Sequence, residues 1–245
     1  MDHYHNNNGN GNQDYSVSET FEFSITIGNQ DTFTISGING AIDITGSATA
    51  TTVEIWGEKI VKSFSTLDAE AHLDELEVQV SSHSNEVNVQ TNQPRDTDGR
   101  SYEVVYHVRL HSYWRVGVNN INGGVDVDSI HNKVTVDLTN GGVVLTDIQG
   151  DTDVDVVNGQ IIGRIALPLS GSCRFGTVNG QVVLNIPEET TADLSASVTN
   201  GSIQISGLEL QDLQISPRSV DGVLGDGNGS ICLTTVNGTI SVNGY

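Results

Sequence analysis

A pattern of apolar residues recurs every nine positions across residues 116–166, and this fixed period restricts the fold more than any other feature of the chain. Each unit has two apolar positions separated by one residue, and a third follows three residues later. The first row is Val116, Val125, Val134, Val143, Thr152 and Ile161. The second row is Val118, Val127, Val136, Leu145, Val154 and Gly163. The third row is Ile121, Ile130, Thr139, Ile148, Val157 and Ala166. All three rows are predicted to point into the core.

The spacing of strands and corners predicts a coil rather than a hairpin. Apolar residues two positions apart are typical of β-strands. Asn-Gly pairs begin at Asn122, Asn140 and Asn158, eighteen residues apart, and both residue types accept the left-handed backbone of a tight corner. The sequence therefore predicts an all-β, single-stranded parallel β-solenoid (β-helix or β-roll), with about 18–21 residues per coil and one short capping helix. An antiparallel meander or sandwich of hairpins is the alternative.

The remaining segments are less regular. Residues 1–16 are rich in Asn, Gly and His and are predicted to form a disordered tail. Residues 17–115 are predicted to form an irregular N-terminal β region, with a short helix near 66–76. Residues 116–245 are predicted to form the regular coils, continuous with the preceding part as one domain. A Gly- and Asp-rich stretch at 217–226 is predicted to be an exposed loop.

The predicted helix is amphipathic. Leu67, Ala71 and Leu76 are spaced to share one helical face, and Ser65 or Thr66 is expected to cap the N-terminus. The helix is expected to cover an end or an edge of the sheet, where backbone groups would otherwise lack partners.

The charge of the chain excludes several classes of partner. The formal net charge is -21, and this disfavours binding to nucleic acid and to anionic membrane surfaces. No apolar segment approaches the roughly 20 residues that span a bilayer, and no signal segment is visible. Cys173 falls on an inward position and Cys232 on an outward one, so no disulfide is expected between them.

Acidic residues recur on the outward side of the repeat. This outward row is Asn119, Asp128, Asp137, Thr146, Asp155 and Arg164. Asp137 and Asp155 are one coil apart, so they are expected to lie on neighbouring strands about 4.8 Å apart and to repel each other. A weakly bound Ca²⁺ or Mg²⁺ ion on this acidic face is one hypothesis, and a solvated acidic surface is the more ordinary alternative.

The sequence gives little support for a catalytic site. Paired carboxylates at Asp126 and Asp128, or at Asp151, Asp153 and Asp155, are of the kind that lyases and hydrolases on β-helices combine with a basic residue. The nearby basic residues are Lys133, in line with Asp151, and Arg164, and a lone ion pair is the simpler interpretation.

Two further sets of side chains have structural interpretations. His107 and His111 are roughly 13 Å apart along one strand and cannot share a metal ion. The column of Asn122, Asn140 and Asn158 is interpreted as a ladder of stacked side-chain amides. We therefore predict no catalytic, cofactor-binding or metal-ligating residue and no cofactor.

Several motifs together resemble a bacterial domain-of-unknown-function family described as "putative adhesins". They are F-x-F…I-N-G-A-I-D-I within residues 21–44, V-E-I-W-G at 53–57, Y-x-V-R-L at 106–110, and repeated V-N-G-x-V/I-x-V. The resemblance covers residues 17–245. It implies an extracytoplasmic β-solenoid at the cell surface, in the periplasm or secreted.

Three functional hypotheses follow. The first is a non-enzymatic surface or envelope module that presents flat β-faces to a glycan or a surface protein. The second is a carbohydrate-active lyase or hydrolase, for which a concave acidic cleft with clustered Asp and Arg or Lys would be needed. The third is a scaffold that self-assembles through an open solenoid end. The sequence does not define the oligomeric state.

Overall fold

The computed structural model describes residues 15–245, and the predicted tail, apart from its last two positions, lies outside them. The described chain is all-β apart from one short helix, α1 (Thr66–Ala71), and a 3-10 turn at Leu73–Glu75. The strands are β1 (Tyr15–Thr26), β2 (Thr32–Ser36), β3 (Ile42–Ser47), β4 (Thr52–Ser63), β5 (Glu77–His83), β6 (Glu86–Asn92), β7 (Ser101–His111), β8 (Arg115–Asn122), β9 (Val125–Asp128), β10 (Val134–Asn140), β11 (Val143–Ile148), β12 (Thr152–Asn158), β13 (Ile161–Ile165), β14 (Ser172–Asn179), β15 (Val182–Ile186), β16 (Ala192–Ser206), β17 (Leu210–Ile215), β18 (Ser219–Leu224) and β19 (Gly229–Gly244).

The strands form two faces that enclose the core. Face A has the strand order β5-β6-β2-β8-β10-β12-β14-β19-β16-β18-β17. Face B has the order β1-β4-β7-β3-β9-β11-β13-β15-β19-β16. The long strands β16 and β19 contribute their first halves to face A and their second halves to face B.

The pairing is parallel in the middle and antiparallel at the ends. Strands β8 to β15 stack coil on coil, with Val116, Val134 and Thr152 in one register. The prediction of a wholly parallel, single-stranded solenoid is wrong at the ends, where β1–β4, β4–β7, β5–β6, β16–β18 and β17–β18 pair antiparallel. Antiparallel hairpins need only short connections, so they can cover the ends of a stack with few additional residues.

The coils do not follow one another in chain order. The coil made by β2 and β3 lies between the pair β6 and β7 and the pair β8 and β9. The last strand, β19, lies between the coil of β14 and β15 and the long strand β16. The coil of β2 and β3 and the last strand, β19, are therefore inserted into the stack, and β1, β5 and β17 form edges of the two faces.

The first two predicted rows are buried, but only two members of the third row are fully buried. Ile130 and Ile148 are buried, whereas Ile121 and Val157 are each 43% exposed and Thr139 is exposed. In strands β8, β10 and β12, inward and outward side chains continue to alternate past the first two inward positions. The third inward positions are therefore Asn120, Leu138 and Val156. In the other half-coils, left-handed residues at Ser129 (φ 59°) and Asp147 (φ 49°) shift the next inward position by one.

The predicted helix forms, but with a different buried face. The Ser65 side chain caps it by accepting a hydrogen bond from the Asp68 backbone N–H at 3.1 Å. Leu67 is 79% exposed and Ala71 is exposed, while Ala69 is buried. The helix is only six residues long and lies against β1 and β4. Because it is so short, the burial of Ala69 alone determines which side faces the sheet.

Arg100 ties the loop before β7 to this helix. Its guanidinium donates to both carboxylate oxygens of Asp68, at 2.7 and 2.8 Å. These hydrogen bonds, together with that from Ser63, hold the pKa of Asp68 well below its usual range.

The prediction of an exposed loop at 217–226 is wrong for most of these residues. Residues Ser219–Leu224 form β18, which pairs with β16 on one side and β17 on the other. The resulting hairpin covers the outer edge of the first half of β16, while the second half, 200–206, has a strand on one side only. The high Gly and Asp content of this segment is accommodated in an edge hairpin.

The two cysteines occupy the predicted positions. Cys173 is buried and Cys232 is exposed, and neither forms a disulfide. They lie on adjacent strands, where Cys173 is paired with Ile231 and Cys232 with Arg174. Burial raises the pKa of the Cys173 thiol to about 12, so this side chain is an inert part of the core.

The asparagine ladder is confirmed and is longer than the three predicted members. In spatial order its seven residues are Asn39, Asn122, Asn140, Asn158, Asn179, Asn237 and Asn200. Each Nδ2 donates to the Oδ1 of the preceding residue at 2.8–2.9 Å, and Asn39 donates to the Tyr102 carbonyl. The following glycines pack closely: a Cβ at Gly141, where φ is 144°, would lie 2.2 Å from the Gly123 carbonyl oxygen.

We expect Asn140→Ala to destabilise the protein by about 1 kcal/mol, because it removes one donor and one acceptor from the middle of the ladder. The measurement is denaturant unfolding. Asn228→Ala is the matched control, since Asn228 is exposed, also precedes a glycine and lies outside the ladder. Equal unfolding free energies for the two variants would contradict a stabilising role for the ladder.

Candidate functional site

Two neighbouring rows of outward side chains form a shallow groove on face A. The polar row consists of Asn119, Asp137, Asp155, Gly176 and Thr234, which are successive register partners. The aliphatic row lies two residues further along the same strands and consists of Ile121, Thr139, Val157, Val178 and Val236. Both rows advance by one side chain per strand, or about 4.8 Å.

The aliphatic row is solvent-exposed despite its composition. Ile121, Val157, Val178 and Val236 are 40–43% exposed. Single exposed apolar residues are common, but an aligned series of them is typical of a contact surface. The groove between the rows has a volume of about 370 Å³ and runs from Asn119 to Val236.

The groove forms because Gly176 interrupts the polar row. A Cβ at this position would lie 2.5 Å from Asp155 Oδ1 and 3.3 Å from Thr234 Oγ1. The absence of a side chain therefore leaves a depression between Asp155 and Thr234, bordered by Val178 on the neighbouring row.

Asp137 and Asp155 are adjacent, as the repeat predicts. Partial burial raises the pKa of Asp137, and the carboxylates of Asp155 and Asp153 raise it further, while Arg174 opposes this effect. Arg174 donates from Nη1 to Asp153 Oδ1 at 2.8 Å and to Asp155 Oδ2 at 2.6 Å. The structure thus places a cationic side chain of the protein beside the carboxylates where the sequence suggested a bound metal ion.

The basic residues that the sequence singled out do not join an acidic cluster. Lys133 is in register with Asp151, but no ion pair joins them within residues 15–245; the Asp151 carboxylate accepts a hydrogen bond from the Ser172 backbone N–H at 2.8 Å. The Arg164 guanidinium lies 4.0 Å from the centroid of the Tyr245 ring. Arg174 was missed because the coil lengthens to 21 residues after 166, which brings Arg174 into register with Asp153.

Asp126 and Asp128, the other carboxylates that the sequence analysis considered, lie on β9 in face B. Asp126 is the register partner of Asp43, and partial burial followed by the Asp43 charge raises its pKa. His107 Nδ1 is 3.0 Å from Asp43 Oδ2, and the imidazole stacks on Trp56. His111 packs instead against Tyr113, with ring centroids 5.8 Å apart, so the two histidines have separate surface environments.

The described residues hold neither a metal-ligand cluster nor a membrane-spanning helix. Across residues 15–245, no three His, Cys, Asp or Glu side chains are grouped closely enough to hold a metal ion. None of the helices in this part of the chain has the length and apolar character to cross a membrane.

The described residues form an all-β, solenoid-like fold whose outward side chains are aligned in rows. The family model described as Toastrack DUF4097 matches residues 2–243, and the chain belongs to this family. The resemblance recognised in the sequence motifs is thereby confirmed. No curated protein sequence matches the chain.

Three similar solved structures can be compared with the chain. A "putative cell adhesion protein" from Clostridium sporogenes is similar with a TM-score of 0.52 and 12% identity, over 93% of this chain and 100% of that one. A "putative adhesin" from Bacteroides fragilis has a TM-score of 0.37 and 11% identity, over 93% and 97% of the two chains. A "putative lipid binding protein" from Parabacteroides distasonis has a TM-score of 0.38 and 12% identity, over 93% and 96%. Only the first similarity is close enough to support the fold, and it shows the fold alone.

We expect Asp137→Asn to stabilise the protein at neutral pH and to have no effect in acid. An acid whose pKa is higher in the folded state binds its proton more tightly there, so stability falls as pH rises through the interval between the unfolded and folded pKa values. The gain at about pH 7 is at most about 0.5 kcal/mol, because Asp137 is exposed to solvent.

Denaturant unfolding at about pH 7 and at about pH 3 measures this effect. Asp128→Asn is the control, because its register partners Thr45 and Thr146 carry no charge. A destabilised Asp137→Asn protein at neutral pH, or a gain that persists in acid, would show that the raised pKa of Asp137 is not the cause.

Proposed function

We propose that the protein is a non-enzymatic, adhesion-like module that binds a neutral glycan along the groove of face A. The observation that carries this proposal is the pairing of a polar row with an exposed aliphatic row at one common spacing. A pyranose ring has apolar C–H faces and hydroxyl groups at its edge. An extended polysaccharide repeats both features along its length, as the two rows of the groove do.

Each row has a defined part in this binding. The carboxylates of Asp137 and Asp155 and the amide of Asn119 are hydrogen-bond acceptors for sugar hydroxyls. Val157, Val178 and Val236 supply the apolar surface against which ring C–H groups pack. Gly176 leaves the depression into which a ring edge fits.

Charge selects the class of glycan. The net charge of -21 and the carboxylates of the polar row repel polysaccharides that carry uronate, sulfate or phosphate groups. Neutral sugars meet no such penalty. The surface location that adhesion requires is part of the same proposal, and the similarity in fold to a "putative cell adhesion protein" supports it.

The geometry favours binding over catalysis. Arg174 engages the carboxylates of both Asp153 and Asp155, so these groups are held in ion pairs at the surface. The groove is shallow and open to solvent along its length, whereas acid–base catalysis on a glycan depends on carboxyl groups placed on both sides of the scissile bond.

The test is a panel of soluble neutral and anionic oligosaccharides measured by isothermal titration calorimetry. We expect a neutral glycan to bind, and the double variant Val157→Ser, Val178→Ser to bind about tenfold more weakly, because apolar contact area is lost on two neighbouring strands. Both side chains are exposed, so the fold is expected to tolerate the change.

Val144→Ser, Val183→Ser is the matched control, because these valines are the outward residues of β11 and β15 on face B. Equal weakening by the two double variants would contradict the groove as the site. Binding of anionic glycans only, or of a protein with no glycan response, would contradict the ligand class. Release of new reducing ends from a bound glycan would assign the groove to an enzyme instead.

A further inference from the structure

Trp56, the aromatic residue of the V-E-I-W-G motif, lies on the outer surface of face B and has no part in the groove of face A. Its neighbours along β4 alternate in the usual way, with Val53 and Ile55 fully buried. The indole is 41% exposed, so its large apolar surface is not explained by packing in the core. Trp is a residue that binding surfaces favour, because it offers a wide rigid ring at little cost in side-chain entropy.

One side of the indole is covered by a neighbouring strand. The His107 imidazole on β7 stacks on it, with ring centroids 5.7 Å apart and planes inclined by 28°. His107 is held in turn by Asp43, whose Oδ2 lies 3.0 Å from its Nδ1. These contacts fix the orientation of the indole.

Trp56 also lines an open pocket, which we name the Trp56 pocket. Its volume is about 580 Å³, and its lining residues are Thr20, Phe21, Glu22, Glu54, Trp56 and Gly57. It lies against the paired strands β1 and β4 and is open to solvent. Trp56 contributes an indole to its lining, and Glu22 and Glu54 contribute carboxylates.

The two carboxylates have little internal compensation. Glu22 is the register partner of Trp56 on β1, and no ion pair or hydrogen bond of its side chain is present in residues 15–245. Glu54 lies two residues before Trp56 on the same outer side of β4, and its nearest cation is Arg109, with Nη1 3.9 Å from Oε2. An anionic ligand is therefore excluded from this pocket, and a cationic one is attracted.

We propose that the Trp56 pocket binds an organic ammonium group, with the cation placed against the indole and between the carboxylates of Glu22 and Glu54. A cation is attracted to the face of an indole by the ring quadrupole, and the methyl groups of an alkylated ammonium also pack on the ring. A metal ion is a poorer fit, because Ca²⁺ and Mg²⁺ need about six oxygen ligands and the indole supplies none. This site is separate from the proposed glycan groove and lies on the opposite face.

Choline is the probe, and its uncharged carbon analogue, in which a tert-butyl group replaces the trimethylammonium group, is the control ligand. Titration is followed by the two indole N–H signals in a proton–nitrogen correlation spectrum. We expect the Trp56 signal to shift in a saturable manner with choline only. Trp114 is 4% exposed, and its signal should stay in place as an internal control. An equal response to the uncharged analogue, or no response to choline, would overturn the proposal.

Variants test the role of each wall. Trp56→Ala and the double variant Glu22→Gln, Glu54→Gln are each expected to weaken choline binding by about tenfold, and added salt should weaken it in the unaltered protein. Glu188→Gln, Glu189→Gln is the matched control, because it removes the same charge from a distant corner. Undiminished binding by the Glu22→Gln, Glu54→Gln protein would overturn the proposal, and this variant leaves the core intact.

The ammonium group could belong to a free solute or to a lipid headgroup. Sedimentation with phosphatidylcholine vesicles that is lost in the Glu22→Gln, Glu54→Gln variant would assign it to the headgroup. Binding of free choline without binding of vesicles would assign it to a small solute. Either result supports the ammonium site, whereas vesicle binding that both variants retain would contradict it.

Discussion

The structure depends on stacking equivalent residues in register from one coil to the next. A single coil has two short strands and cannot bury its own apolar rows, so each row is covered only by the coils above and below it. Val116, Val134 and Thr152 are aligned in this way, and backbone hydrogen bonds between parallel strands maintain the alignment. The seven-residue asparagine ladder repeats the same register at the corners.

Inserting the coil of β2 and β3 and the last strand, β19, into the stack extends this register beyond the regular repeat. Strand β19 places Asn237 between Asn179 and Asn200 in the ladder, and it places Thr234 and Val236 at one end of the groove. The groove on face A is therefore built by strands far apart in the sequence. Face B gains its outer surface near Trp56 from antiparallel strands at the opposite end. The alternation that fills the core thus also arranges the outer surfaces.

The sequence predicts those parts of the structure that rest on local periodicity. The first two inward rows, the asparagine column and the pairing of Asp137 with Asp155 follow from the repeat, and the helix cap follows from the local sequence at Ser65. The third row fails at Ile121 and Val157, because the two half-coils turn differently while sharing a nine-residue length. The antiparallel ends and the inserted strands depend on contacts between segments that are distant in the sequence. The periodicity of the sequence does not predict such contacts. Arg174 and the Trp56 pocket were missed for the same reason, since register across strands brings their parts together.

The groove on face A depends on the insertion of β19 beside β14, because Thr234 and Val236 of β19 line one end of it. Arg174 and Cys232 are direct register partners, and neighbouring strands have a spacing that suits a disulfide. Mild oxidation of Arg174→Cys followed by peptide mass spectrometry should detect a disulfide between position 174 and Cys232. Ser195→Cys is a positive control because β16 also adjoins β19, and Asp153→Cys, two strands from Cys232, should not cross-link. Cross-linking in Ser195→Cys but not in Arg174→Cys would show that the coils follow chain order and would contradict this account.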